Sequence, residues 1–277
     1  MTTYEDALAI HTTLGVRRTT TADATVFFVL IPPPGGARTT LARRLAVLLV
    51  ESLTHPSDTA FRDWIARFDG GPVHSPQVRE EIEAYVLPDF RVANSTRLRG
   101  SVVEHLWALL ASRLEGEWGS PLRTEHHHFS VIDHGGDGFS FYEIEEMEDL
   151  RFRLWESKAH LGQQSVTTVV TTAARQIKGS ASEYLARASK ELQLSDDPRV
   201  AHLAGTIVRL WSGRDEKSAA GISVGTEAGT IPPRAFKGIE TQLDLADFAQ
   251  REGLVIQIEF LAAFCEEVRG WIMKGIE

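Results

Sequence analysis

The chain has 277 residues, 43% of them hydrophobic and 24% charged, with a net charge of −9. That length can bury one large core, or one core and a smaller domain. The single cysteine, Cys265, excludes an intrachain disulfide and a four-cysteine zinc site. The acidic balance is awkward for nucleic-acid binding, which needs Lys and Arg to replace phosphate counterions, unless a local basic groove (Arg38, Arg43 and Arg44, or Arg91, Arg97 and Arg99) or a partner supplies the affinity.

Met1–Asp6 is polar and acidic, and no charged-then-apolar signal segment follows it. The longest apolar run, Val26–Ile31, is too short to span a bilayer. The expectation is a cytoplasmic protein. Val26–Ile31 is β-branched and reads as a buried strand, which Pro32–Gly36 ends. Thr39–Leu53 carries leucines at 41, 45, 48 and 49, a helical spacing. A loop region with Pro56, Gly70, Gly71, Pro72 and Pro76 follows. Gln77–Val86 reads as a short acidic helix, and Pro88–Leu98 as extended or irregular.

Ser101–Leu114 reads as a helix, with Val103, Leu106, Leu110 and Leu114 at three- and four-residue steps. Gly116–Pro121 ends it. Phe129–Ile132 is a candidate short strand, and His134–Gly138 a tight turn. Phe139–Ile144 and Arg151–Lys158 are expected to pair as a hairpin across the acidic stretch Glu143–Asp149. Helices are expected at Val166–Lys178, Ser182–Leu192 and Pro198–Trp211. Strands are expected at Gly221–Val224 and Leu254–Leu261, and a last helix at Ala262–Lys274. The order implies an α/β (α+β) protein with a mixed sheet flanked by helices. No sharp linker is present. A loose division falls near residue 90, giving an N-terminal α/β region, 1–90, packed on a domain of 91–277.

Glu156 and Lys158 are two residues apart on an expected strand, so their side chains share a face with Phe152 and Leu154. A carboxylate and an ammonium at the end of an apolar face are costly to bury unless paired or used. Asp137 starts the neighbouring strand between two glycines, and antiparallel pairing brings it beside Glu156 and Lys158. Two carboxylates without cysteine ligands suit a hard cation such as Mg²⁺ (or Mn²⁺), which polarises a phosphoryl oxygen and acidifies bound water. The lysine is suited to orient that water or to stabilise charge on the phosphate. Alone, a Glu-x-Lys pair on a strand is more often a surface ion pair worth at most about 1 kcal/mol, and Asp between glycines is common in plain turns.

Asp137, then Glu156-Ser157-Lys158 on the next strand, then a helix, resembles the PD-(D/E)xK nuclease superfamily. Glu104, on the helix before the hairpin, matches that family's helix glutamate. More narrowly, His134-Gly135-Gly136-Asp137-Gly138 with Trp155-Glu156-Ser157-Lys158 is similar to the HamA-type nuclease subunit of Hachiman anti-phage systems. The resemblance covers about residues 97–178. It implies a restriction-endonuclease-like core within 91–277 and a Mg²⁺-dependent DNA nuclease. Asp137, Glu156 and Glu104 would be metal ligands and Lys158 the catalytic lysine. It also implies a helicase partner that restrains the nuclease and handles the DNA; from the short apolar runs, no membrane partner is expected. The competing expectation is a catalytically silent nuclease-fold subunit that regulates a helicase or another ATPase.

Other signals carry less. Pro34–Thr40 follows a strand and precedes a helix as a phosphate-binding loop does, but it lacks the spacing and the lysine. His126, His127 and His128 alternate sides on an extended segment and do not converge with His134 on one zinc ion. Thr167, Thr168, Thr171 and Thr172 line one face of a helix, where solvation is the commoner outcome and phosphate contact the rarer. Cys265 reads as core.

Overall fold

The computed structural model describes residues 14–54, 58–93, 95–126, 136–144, 149–160, 162, 164–227 and 229–277. The chain begins with a hairpin, β1 (Val16–Thr20) and β2 (Thr25–Ile31), paired antiparallel with Val16 opposite Val29. Helices α1 (Gly36–Thr54), α2 (Thr59–Phe68), α3 (Pro76–Phe90) and α4 (Thr96–Ala111) follow. Then come β3 (Arg123–His126), β4 (Gly138–Ile144) and β5 (Asp149–His160). The long helix α5 (Val166–Leu192), short α6 (Pro198–Ala204) and α7 (Ile207–Ser212), and β6 (Ser218–Glu227) continue the chain. It closes with α8 (Lys237–Gln242), a 3-10 turn at Phe248–Gln250, β7 (Arg251–Ile258) and α9 (Leu261–Lys274).

The seven strands form one sheet in the order β1-β2-β7-β6-β5-β4-β3. β4 runs antiparallel to both of its neighbours, β3 and β5, and β6 runs parallel to β5. The sheet is therefore mixed, as the sequence led one to expect. The α5 connection between β5 and β6 explains the parallel step, because parallel neighbours need a crossover.

The chain divides into two compact units. One takes in Leu30–Leu106 and Ile258–Glu277, the other Val16–Val29 and Trp107–Gln257. In the first, Phe61, Trp64 and Phe68 stack along α2, and the Trp64 indole N–H donates to the Ile272 carbonyl at 3.0 Å. Arg38 is buried at the start of α1, where it donates to the Glu259 and Phe260 carbonyls and pairs with Glu267. The phosphate-loop look-alike is thus a strand-to-helix turn whose arginine is spent on structure.

The second unit carries the sheet. Its core packs Phe139 and Phe141 of β4, Phe152 and Leu154 of β5, and Ile222 and Val224 of β6 against Val170, Ala173, Ala174, Ile177 and Tyr184 of α5. Each fully buried Leu, Val, Ile or Phe contributes roughly 1.5–3 kcal/mol relative to exposure. That stripe continues through Ala181, Leu185 and Ala188 without a break. It explains why Val166–Leu192 is one helix and not two: burial on both sides of Gly179 outweighs the roughly 1 kcal/mol a helical glycine costs.

Other departures have local causes. Thr59–Phe68 is a helix where a loop was expected, because Ala60, Phe61, Trp64 and Phe68 share a buried face. α3 runs on through Pro88, whose fixed φ is compatible with helix. Pro198–Trp211 splits at Gly205 into α6 and α7. β1 and β3 are polar edge strands with no apolar alternation to announce them. The strand expected at Phe129–Ile132, the first two residues of the His134–Gly138 turn, and His127 and His128 lie outside the described residues. Cys265 is buried, as expected.

Candidate active site

The β4–β5 ladder sets the site. Gly138 stands opposite Trp155, Phe139 opposite Leu154 and Phe141 opposite Phe152. The Asp137 N–H donates to the Trp155 carbonyl at 2.7 Å, which carries the pairing one residue further. Continuing that register places Asp137 across from Glu156. Directly opposed residues in an antiparallel pair project to the same face, so Asp137 shares the α5-side face with Phe139, Leu154, Glu156 and Lys158.

Both glycines around Asp137 are required. Gly136 has φ +150°, and a Cβ there would lie 2.6 Å from Leu154 Cδ1 and 3.0 Å from the Tyr184 ring. Proline, fixed near −65°, has no access to that conformation. A Cβ on Gly138 would lie 2.2 Å from the Glu125 carbonyl oxygen and 2.6 Å from the Trp107 ring. The Gly-Asp-Gly sequence is therefore the form that lets this backbone pass between β3, Trp107 and Tyr184 while still presenting a carboxylate.

The Asp137 Oδ2 accepts the backbone N–H of Ser157. Glu156 is 2% exposed, and its Oε1 lies 2.5 Å from the Lys158 ammonium, whose side chain is 30% exposed. The pair therefore has one buried and one solvent-reaching member. Asp137, Glu156 and Lys158 are brought together at one end of the β4–β5 ladder. Glu104 is half-buried on α4 within the first unit, between buried Val103 and His105. The His105 ring bonds the Ser52 hydroxyl at 2.8 Å and the Ser101 carbonyl at 2.9 Å. Among the described residues no group of three or more His, Cys, Asp and Glu side chains is gathered as for a metal ion. The two facing carboxylates still supply the hard oxygen donors that Mg²⁺ or Mn²⁺ prefers.

His160 escaped the sequence reading. It follows Glu156 and Lys158 at the next alternate position of β5, so the same period-two pattern points to it. Its Nδ1 bonds the Thr226 hydroxyl at 2.8 Å, and its Nε2 bonds the Gln164 carbonyl. A carbonyl only accepts, so Nε2 carries a proton. The ring ties the end of β5 to β6 and to the entry of α5. There Ser165 caps the helix by accepting the Thr168 N–H.

The other face of β5 anchors the strand. Arg153 is fully buried among Trp118, Tyr142 and Trp155, with its guanidinium carbon 4.9 Å, 5.0 Å and 6.0 Å from the ring centroids. It donates to the Tyr142 hydroxyl at 2.6 Å and to the Ala249 carbonyl at 3.0 Å, and it lies 2.8 Å from Glu252 Oε2. Burial pushes the Glu252 carboxyl above its ordinary range, against the opposing pull of Arg153. Burial likewise raises the Tyr142 hydroxyl. The Trp155 ring lies over Gly221, where a Cβ would meet it at 2.4 Å, and its indole N–H donates to Ser140 at 3.1 Å. These contacts fix the strand that carries Glu156 and Lys158.

Of the four threonines, Thr168 and Thr172 are exposed. Thr171 packs against α8, where a Cβ on Gly238 would lie 2.7 Å from its Cα. No helix among the described residues is long and apolar enough to cross a membrane. No protein-family model matches the chain, and no curated protein matches it.

Proposed function

We propose that the protein is a metal-dependent deoxyribonuclease of the PD-(D/E)xK type, acting in the cytoplasm in anti-phage defence and restrained by a helicase partner. The observation that carries this reading is Asp137 set opposite Glu156 on one sheet face, with Lys158 at 2.5 Å from Glu156. Asp137 and Glu156 would hold Mg²⁺ or Mn²⁺. Glu104 enters as an accessory ligand through the family resemblance. A bound cation supplies polarisation of the phosphoryl oxygen and a more acidic water. Lys158, partly in solvent, is placed to neutralise charge building on the phosphate. The Ser157 N–H holds the Asp137 carboxylate in place beside it. The helicase and the defence setting rest on the likeness of the Gly136-Asp137-Gly138 and Trp155–Lys158 segments to the HamA type. A partner that holds DNA also accommodates the net charge of −9.

The test is cleavage of plasmid and linear duplex DNA with Mg²⁺ by the wild-type chain and by the Glu156→Ala, Lys158→Ala double variant. Circular dichroism establishes that both are folded. Cleavage by the wild type that falls to background in the variant is expected. Undiminished Mg²⁺-dependent cleavage by the double variant overturns the reading.

A second reading, a silent nuclease-fold subunit that regulates a helicase or other ATPase, is favoured by one observation. The Glu156 Oε1 is already engaged by Lys158, and a metal must compete with that ammonium. Co-purification with the helicase, without cleavage by the chain either free or released from its partner, is the outcome this reading expects. Metal-dependent cleavage by the free or released chain removes it.

A further inference from the structure

Between Glu156 and Glu183 the sequence holds no Asp or Glu, on a chain of net charge −9. α5 fills most of that stretch. Its exposed residues there include Thr168, Thr172, Arg175, Lys178, Gly179 and Ser182. Thr168, Thr172, Arg175, Gly179 and Ser182 recur at steps of four and three, so they form one stripe, with Lys178 on its flank. Several exposed arginines elsewhere are paired: Arg43 with Asp69, Arg79 with Glu83, Arg214 with Asp244 and Arg234 with Asp23. Arg175 and Lys178 make no ion pair among the described residues.

The stripe starts just beyond the end of β5, the strand that carries Glu156 and Lys158. His160, one alternate position beyond Lys158, bonds the Gln164 carbonyl, and Ser165 then caps α5 through the Thr168 N–H. From there to Lys178 the helix rises roughly 15 Å at 1.5 Å per residue. That matches about four nucleotides of one strand at 3.4 Å each.

We infer that this face of α5 is a contact surface for the phosphodiester backbone of a nucleic acid, led along the helix to the Asp137–Glu156 end of the sheet. The chemistry selects backbone over bases. Hydroxyls, a guanidinium and an ammonium recognise phosphate oxygens, and the stripe has no exposed aromatic ring on which a base would stack. An apolar protein partner finds nothing to bury there, and the first carboxylate along this face, Glu183, comes only at the end remote from β5, where it pairs with Arg187 at 3.5 Å. The inference rests on the nuclease reading only for where the strand leads. The surface itself is independent of metal and cleavage.

The experiment is equilibrium binding of the full chain to a short fluorescent DNA duplex and to its single strand, in EDTA, over a series of salt concentrations. Arg175→Gln with Lys178→Gln is expected to reduce the slope of log K against log salt by about 2, close to one unit for each phosphate no longer neutralised. Arg175→Glu with Lys178→Glu is expected to weaken binding further, and Arg175→Lys with Lys178→Arg to restore it. Both sites are exposed, so the fold tolerates these changes. Slope and affinity unchanged in both the neutral and the reversed-charge variants overturn the inference, as does loss of an acidic protein partner with DNA binding intact. Wild-type binding that depends on these residues without any cleavage leaves the inference standing and removes the nuclease reading. Cleavage that depends on Glu156 and Lys158, with binding indifferent to Arg175 and Lys178, does the reverse.

Discussion

The carboxylate of Asp137 accepts the backbone N–H of Ser157, the residue that separates Glu156 from Lys158. One hydrogen bond thereby fixes the carboxylate of one strand against the acid and the base of the next. The relation depends on the β4–β5 register, since a slip of one residue would turn Glu156 and Lys158 to the opposite face.

Asp137→Asn separates that geometry from charge. The amide oxygen still accepts from Ser157, so stability is expected to change by no more than about 1 kcal/mol. Metal-dependent DNA cleavage is expected to fall on the order of 10²-fold or more, because a neutral amide is a poorer ligand for a hard cation. Cleavage rates beside denaturant midpoints check both halves. An unchanged rate removes Asp137 from the metal site.

Gly138→Ala tests the packing that presents Asp137. The added methyl would stand 2.2 Å from the Glu125 carbonyl oxygen and 2.6 Å from the Trp107 ring. Neither a strand backbone nor a buried indole moves easily. A loss of about 1–3 kcal/mol is expected, read as a lower denaturation midpoint at constant m-value. A neutral outcome would mean that β3 shifts away from β4 at little cost.

Arg153→Ala is expected to cost about 3–5 kcal/mol, because it leaves the buried Glu252 carboxyl without its cation. The double variant Arg153→Leu, Glu252→Leu is expected to cost less than Arg153→Leu and Glu252→Leu combined. Urea denaturation of the four chains gives the cycle. Simple additivity would mean the pair has no coupling.

The ion pair between Asp149 and Lys217 makes stability depend on pH. The hydrogen bond from the Lys217 ammonium, aided by the Leu150 N–H, holds the Asp149 carboxyl below its ordinary value of 3.8. A carboxyl with a lowered folded pKa adds stability above its unfolded pKa, and that stability is lost as pH falls through the folded value. Asp149→Asn is therefore expected to cost at most about 1 kcal/mol at neutral pH. The cost should vanish in strong acid. Thermal melts across the acid range show whether the two curves converge.

Alternation and turn chemistry in the sequence determined the centre of this protein. The apolar runs of β4 and β5, the Gly-Asp-Gly turn and the Glu-x-Lys spacing are local patterns. A period of two assigns faces without coordinates, and it reaches His160 when followed one step further. The helical stripes of α1, α4 and α9 were legible for the same reason. Only the tertiary structure decided the rest. Burial on both sides of Gly179 joined two expected helices into one. The polar edges β1 and β3 became strands because neighbouring strands offered them hydrogen bonds, not because their side chains prefer that state. The two units gather separated stretches of chain, 30–106 with 258–277 and 16–29 with 107–257, and no linear cut through a sequence draws such a division. Glu156 was a candidate from its spacing alone. Its place beside Asp137 followed from the expected hairpin pairing, but its burial and its 2.5 Å approach to Lys158 come from the packing of α5 and of the neighbouring strands, which are long-range contacts that no local pattern encodes.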